Sequence, residues 1–240
     1  WNWRLLLITG DSRYADLMER TLYNGVLPSV GIEGASYFYV NPLHIRGGRY
    51  VRSGPIGEDK EEIRRPEWHG CACCPPNVMR LFSSLEHYFT TTSTNGVQIH
   101  QFADLDLRFQ VEQRDIALSV RTEYPWDGKI VVQVESAAPQ QWALSLRIPR
   151  WTRHFALHIN GNATPATRNE LGYLEIDRIW QTGDTLELTL PVEPEWIHPN
   201  PRIDAVRGCV ALEYGPLVYC FESHDQPIDV LLDDVCVQTL

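Results

Sequence analysis

Over residues 1–92 apolar positions recur at three- and four-residue spacing, and beyond Gly96 the spacing changes to two. In "GDSRYADLMERTLYNGVL" (10–27), Tyr14, Leu17, Met18 and Leu22 fall on one face of a predicted helix, with Asp11 or Ser12 placed to cap it. A second helix is predicted to open at Pro75 and Pro76, which a first turn tolerates because its amides lack intrahelical partners. Val78, Leu81, Phe82, Leu85 and Phe89 form its apolar stripe. Between the two, "ASYFYVNPL" (35–43) is aromatic and β-like, a short strand or an extended loop.

After Gly96 come short alternating runs: "GVQIHQF", "DLDLRFQVE", "DIALSVRTE", "KIVVQVES", "QWALSLRI", "HFALHIN", "GYLEI", "DTLELTL", "GCVALEY" and "LVYCF". Turn signals such as Asn160-Gly161 and Gly183-Asp184 separate them, and no helical pattern intervenes. Such a series predicts an antiparallel β-sandwich. The proline-rich "PEWIHPNP" (194–201) interrupts it and marks passage to another sheet. The expected organisation is α+β and multidomain: helical 1–95, a β-sandwich over 96–193, and part of a second sandwich over 194–240.

Composition narrows the function classes. The chain is 43% apolar and 22% charged, the profile of a folded globular protein. A net charge of −10, with Lys and Arg scattered, gives no nucleic acid a footing. No apolar run reaches the ~18 residues of a membrane span, so no membrane partner is expected. The mixed-charge "DKEEIRRP" (59–66) reads as a solvated loop. Most of the eight tryptophans lie within strand patterns and are expected to pack there. The opening "WNWRLLLITGDSRY" already has the character of helix interior, so the sequence reads as the downstream part of a longer chain. Its lack of a targeting signal therefore says little.

Six cysteines could form three disulfides, but Cys73 and Cys74 are adjacent, where a bridge is strained. Cys209, Cys220 and Cys236 sit in strand-like apolar surroundings and read as buried thiols. A reducing, cytoplasmic setting follows as the expectation. The remaining cysteines crowd into "HGCACCPPN" (69–77) at the front of the second helix, where free N–H groups and a positive dipole end favour thiolate. The position suits a metal ligand, a nucleophile or both; the plainer alternative is small side chains packed under the helix. A self-contained zinc ribbon needs two separated cysteine pairs, and only His69 stands near this one. A papain-like Cys–His dyad is excluded by the closeness of His69 and the missing Gly-Ser-Cys context.

"ACCPPN" (72–77), with "GDSRYADLMERTLYNGVL" and "YFYVNPL" (37–43) before it, resembles the zinc-dependent β-L-arabinofuranosidases of glycoside hydrolase family 127. "LRIPRW" (146–151), "INGN" (159–162), "GYLEIDRIWQTGDTLELTLP" (172–191) and "RGCVALEYGPLVYC" (207–220) look like the C-terminal sandwiches of that family. The resemblance implies the C-terminal portion of a catalytic (α/α)6 barrel followed by β-sandwich domains. It further implies a retaining glycosidase that uses a zinc-bound cysteine where most families place a second carboxylate. Carried onto this sequence, Cys73 is the nucleophile, and Cys73 and Cys74 are zinc ligands. Glu19 and Tyr39 are the corresponding substrate-binding residues. Without the resemblance, Glu19 reads as a solvated helix charge and Tyr39 as a core aromatic.

The implied cofactor is Zn2+ and the implied partner an L-arabinofuranose-containing oligosaccharide or glycoconjugate, with a homodimer left open. The family's Glu-x-Cys ligand pair and its general acid/base glutamate lie upstream of this region and are not in the sequence. The isolated 240 residues are therefore expected to be poor catalysts, with labile helices that leave Leu17, Met18, Leu81 and Phe82 uncovered. Two rival readings are a non-catalytic carbohydrate-binding or scaffolding β-sandwich, and a structural zinc-thiolate protein.

Overall fold

The computed structural model describes residues 1–38, 65, 67–68, 73–111, 114–137, 140–222, 225–227 and 235–237. It is mostly sheet with few helices, and it divides into two compact units, each built from two stretches of chain. One unit comprises Trp1–Glu19 and Ser83–Glu193, the other Arg20–Phe82 and Pro194–Leu240. Among the described residues no helix is long and apolar enough to cross a membrane.

In the first unit, helix α1 (Asn2–Thr9) ends at Gly10, whose left-handed φ of 68° lets its amide return to the Leu6 carbonyl. Helix α2 (Arg13–Thr21) follows, and Asp11 serves its N-terminus, Oδ1 accepting the Arg13 amide at 2.9 Å. On the predicted apolar face Leu17 is exposed, as expected for these residues, whereas Ala15 and Glu19 are enclosed. The enclosed face meets an arginine that neutralises its carboxylates, as described below.

Two sheets complete this unit. One has four strands in the order β1 (Thr90–Thr92), β2 (Gly96–Ile99), β6 (Gln141–Arg147), β9 (Tyr173–Ile179). The other has six in the order β3 (Leu105–Val111), β4 (Arg114–Thr122), β5 (Lys129–Ser136), β10 (Thr185–Thr189), β7 (Ala156–Ile159), β8 (Asn162–Ala163). Nearly every predicted run is found as a strand. The short β1 and β8 were not legible, being a threonine triplet and a two-residue bridge. The expected all-antiparallel pairing fails at one place, since β2 and β6 run parallel because the chain visits the six-stranded sheet between them. Gly96 opens that pair, and a Cβ there would lie 1.9 Å from the Ala143 carbonyl oxygen.

Alternation fixes the core. Ile116, Leu118 and Val120 on β4, Ile130, Val132 and Val134 on β5, and Leu186 and Leu188 on β10 are buried; the residues between them are more exposed except Ser119, which is also buried. Burial of each such side chain contributes on the order of 1.5–3 kcal/mol. Strand β6 departs from the pattern: Trp142, Leu144 and Leu146 are buried on one face, and Ala143, Ser145 and Arg147 on the other.

In the second unit, a π-helical turn (Leu22–Val26) and a short 3-10 turn (Leu27–Ser29) lead to an isolated bridge between Val30 and Tyr37. Helix α3 spans Cys74–Ser83, so Leu85 and Phe89 of the predicted stripe lie beyond its end. A three-stranded antiparallel sheet, β11 (Pro194–Ile197), β12 (Ala211–Tyr214), β13 (Leu217–Tyr219), closes the chain's regular structure. Asn24 ties the π-turn to this sheet: Nδ2 donates to Pro216 O at 2.8 Å and Oδ1 accepts the Val218 amide at 2.7 Å. The thiols expected to be buried are not. Cys209 is half-buried and Cys220 and Cys236 are exposed, the first two because they fall just outside β12 and β13 where no layer covers them.

His100 sits in the first unit, enclosed by Trp3, Tyr173 and Thr91. Thr91 donates its hydroxyl proton to Gln98 Oε1 at 3.0 Å, so His100 Nε2 must donate to Thr91 at 2.8 Å. Nδ1 is then left to accept from the Tyr173 hydroxyl at 2.7 Å. Burial, and secondarily the Arg147 charge, push its pKa down to about 3. Because the folded value lies below the unfolded one, the neutral ring stabilises the fold fully above the unfolded pKa of about 6.5. That stability is lost as pH falls toward 3, by up to about 1.4 kcal/mol per pH unit. Urea unfolding at pH 7 and pH 5 should therefore show a loss of about 2 kcal/mol that His100→Gln removes; equal losses in both proteins would refute the assignment.

Candidate active site

Helix α3 begins at Cys74, with Cys73 immediately before it. Pro75 and Pro76 occupy its first turn, and Asn77 Nδ2 donates back to the Cys73 carbonyl at 2.8 Å. Arg80 Nη1 in turn donates to Asn77 Oδ1 at 2.9 Å, fixing the amide that holds Cys73. The Pro-Pro-Asn sequence thus braces the backbone on which Cys73 stands, and Cys73 is exposed. The side chain of Cys74, with His69 and Tyr39, lies outside the described residues.

Thiolate donors suit zinc, which takes four ligands in structural sites. Among the described residues no three His, Cys, Asp or Glu side chains are grouped to hold a metal ion. A thiolate at Cys73 would be a suitable donor for zinc, and the described residues gather no ligand set around it.

Glu19 belongs to the first unit and is 1% exposed. Its Oε1 accepts the Tyr124 hydroxyl at 2.6 Å and also Arg147 Nη2, while Oε2 accepts Arg147 Nη1 at 3.3 Å. Asp16, one helical turn earlier, accepts Arg147 Nη1 at 2.6 Å. Arg147 is wholly enclosed, and its Nε donates to the His100 carbonyl. Burial alone would lower the Arg147 pKa; the facing Glu19, Tyr124 and Asp16 outweigh it and raise it. The resemblance points Glu19 toward a sugar, but the structure occupies its carboxylate with Arg147 and Tyr124.

Sequence reasoning missed Arg147, Tyr124 and Asp16. A charged residue in an alternating strand is ordinarily read as outward-facing. The available signal was the pair of small residues, Ala143 and Ser145, sharing the face of Arg147: small side chains there leave room for a covering element.

The chain matches three family models: the catalytic domain of beta-L-arabinofuranosidase, GH127, over residues 1–87, the GH127 middle domain over 96–192, and the family 127 C-terminal domain over 194–239. It is 32% identical over 238 residues to a non-reducing end beta-L-arabinofuranosidase of Bifidobacterium longum subsp. longum, covering 95% of this chain and 34% of that protein. Among solved structures, the GH127 beta-L-arabinofuranosidase Ara127N-Se from Geobacillus stearothermophilus T6 shares 36% identity with a TM-score of 0.83, over 94% of this chain and 35% of that one. The GH127 beta-arabinofuranosidase BT3674 shares 34% identity with a TM-score of 0.82, over 93% and 36%. The chain thus spans about a third of the length of these relatives.

Removing a buried guanidinium leaves two carboxylates desolvated without a counter-charge. Arg147→Ala should therefore destabilise the protein by about 3–5 kcal/mol in urea unfolding. Adding Asp16→Asn and Glu19→Gln should recover part of that loss. A triple variant no more stable than the single one would show that the charges are not the cause.

Proposed function

The chain belongs to glycoside hydrolase family 127, and from that premise we propose that it carries the cysteine-bearing part of a retaining β-L-arabinofuranosidase site. The observation that carries the reading is Cys73, exposed at the front of α3 on a backbone held by Asn77. On this reading the helices of residues 1–95 belong to an (α/α)6 barrel, and the two sheets of the first unit form a β-sandwich beside it.

Cys73 sulfur attacks the anomeric carbon of an L-arabinofuranoside as the glycosidic carbon–oxygen bond breaks. The leaving oxygen takes a proton from a general acid, which the family resemblance assigns to a glutamate not among these residues. Water then gives a proton to that same glutamate, now a base, and displaces the sulfur as thiolate, so two inversions give net retention. Cys73 and Cys74 would hold zinc, which when bound keeps a coordinating thiol deprotonated. Tyr39 would contact the sugar. The role inferred for Glu19 is different and is developed in the next subsection. The substrate class is an oligosaccharide or glycoconjugate ending in L-arabinofuranose.

In the complete enzyme, Cys73→Ser should abolish turnover of a β-L-arabinofuranoside, because an alcohol is a far weaker nucleophile at neutral pH. Acid-quenched wild-type enzyme should carry one arabinosyl adduct on the peptide containing Cys73. Cys74→Ser should lower bound zinc as well as activity. Wild-type turnover by Cys73→Ser, or an adduct mapped to another residue, would overturn the nucleophile assignment.

A further inference from the structure

Helix α2 meets the first unit's sheets along a single enclosed face. Its start is held where the Ser12 amide donates to Leu171 O at 2.8 Å. Gly172 is required beside it, since its φ is +90° and a Cβ there would lie 1.9 Å from Ser12 Oγ. One turn on, Gln101 Nε2 donates to the Ala15 carbonyl at 2.9 Å, and Ala15 has no exposed surface. Asp16 and Glu19, three residues apart and so on one side of the helix, both reach Arg147. Tyr124, from the loop joining β4 to β5, caps the Glu19 carboxylate.

The donors on the sheet side form a set. Arg147 on β6, Tyr124 on the β4–β5 loop and Gln101 after β2 come from separate parts of the chain, yet all three donate to α2. Arg147 is held from behind by the His100 carbonyl and lies 5.7 Å from the Phe102 ring centroid. A surface so arranged reads a helix by its carboxylate spacing. It also engages the Glu19 carboxylate from both oxygens while the residue is enclosed, which favours a supporting role over contact with a sugar.

We propose that Arg147, Tyr124 and Gln101 form a socket that recognises the Asp16–Glu19 pair of α2, and that Arg147 and Tyr124 are positioning residues. Glu19 acts in this socket and does not touch the sugar. The socket stands independently of the reaction; its bearing on sugar binding rests on the arabinofuranosidase reading above.

The test compares Glu19→Gln, Tyr124→Phe and Arg147→Lys in the intact protein by hydrogen exchange at residues 13–19 and by calorimetry with L-arabinose. Tyr124→Phe removes one hydroxyl and guards against a variant that fails to fold. Each substitution should speed exchange across residues 13–19 by about tenfold or more while leaving β5 and β10 protected. Arg147→Lys should keep more of that protection than Arg147→Met. All three should weaken arabinose binding by a similar factor, and combining Tyr124→Phe with Glu19→Gln should add little, as expected of residues acting as one unit. The proposal is overturned if Glu19→Gln alone weakens arabinose about tenfold with α2 protection unchanged and Tyr124→Phe matches wild type in both measurements, the signature of a direct hydrogen bond to sugar. A wild-type protein with no affinity for arabinose would refute the sugar reading, and the exchange data would still decide the socket.

Discussion

A guanidinium shut away from water must have its charge and its N–H groups answered inside the protein. Arg147 is in that position, and much of the first unit's polar architecture follows from it. Asp16 and Glu19 supply the countercharge, and the His100 carbonyl takes Nε–H. The same cation helps keep the neighbouring imidazole of His100 neutral, and that ring is then stitched into the Thr91–Tyr173 hydrogen bonds as a fixed tautomer. An enclosed ion cluster of this type adds little net stability over a well-packed apolar core. It also ties α2 to the rotation that brings both Asp16 and Glu19 to Arg147.

How much of this was legible in the residues depended on the range of the interaction. Strands β3, β4, β5 and β10 bury one face, and simple alternation revealed them. β11 was hidden because it begins at Pro194 within a proline-rich stretch, and β1 because three threonines carry no alternation. The cysteine cluster was readable because its chemistry is local: Cys73, the two prolines and Asn77 all lie within five residues of chain. Helix α2 was assigned correctly as a helix, and the exposure of Leu17 was foreseen. The enclosure of Glu19 was not, because its partner stands 128 residues away and leaves no mark in the helix's own sequence.

The two candidate site residues that can be described differ in the property that chemistry requires. A nucleophile must be reachable, and Cys73 is exposed on a helix start whose backbone is braced from behind by Asn77 and Arg80. Glu19 is enclosed, with two donors on Oε1 and the Arg147 guanidinium also reaching Oε2. Family resemblance points to both residues by sequence position, and their surroundings differ in exposure and in hydrogen bonding.

The distance along the chain between Arg147 and its helical partners also bears on how the molecule assembles. Closing a loop of that length costs chain entropy before any contact within it is gained, so hairpins such as β3–β4 and β4–β5 form sooner than the ion cluster does. On that argument Asp16 and Glu19 are expected to stay hydrated through the rate-limiting step and to lose their water on the native side of the barrier. Pairings made that late slow unfolding more than they speed folding, which would lengthen the life of the docked helix without adding much at equilibrium.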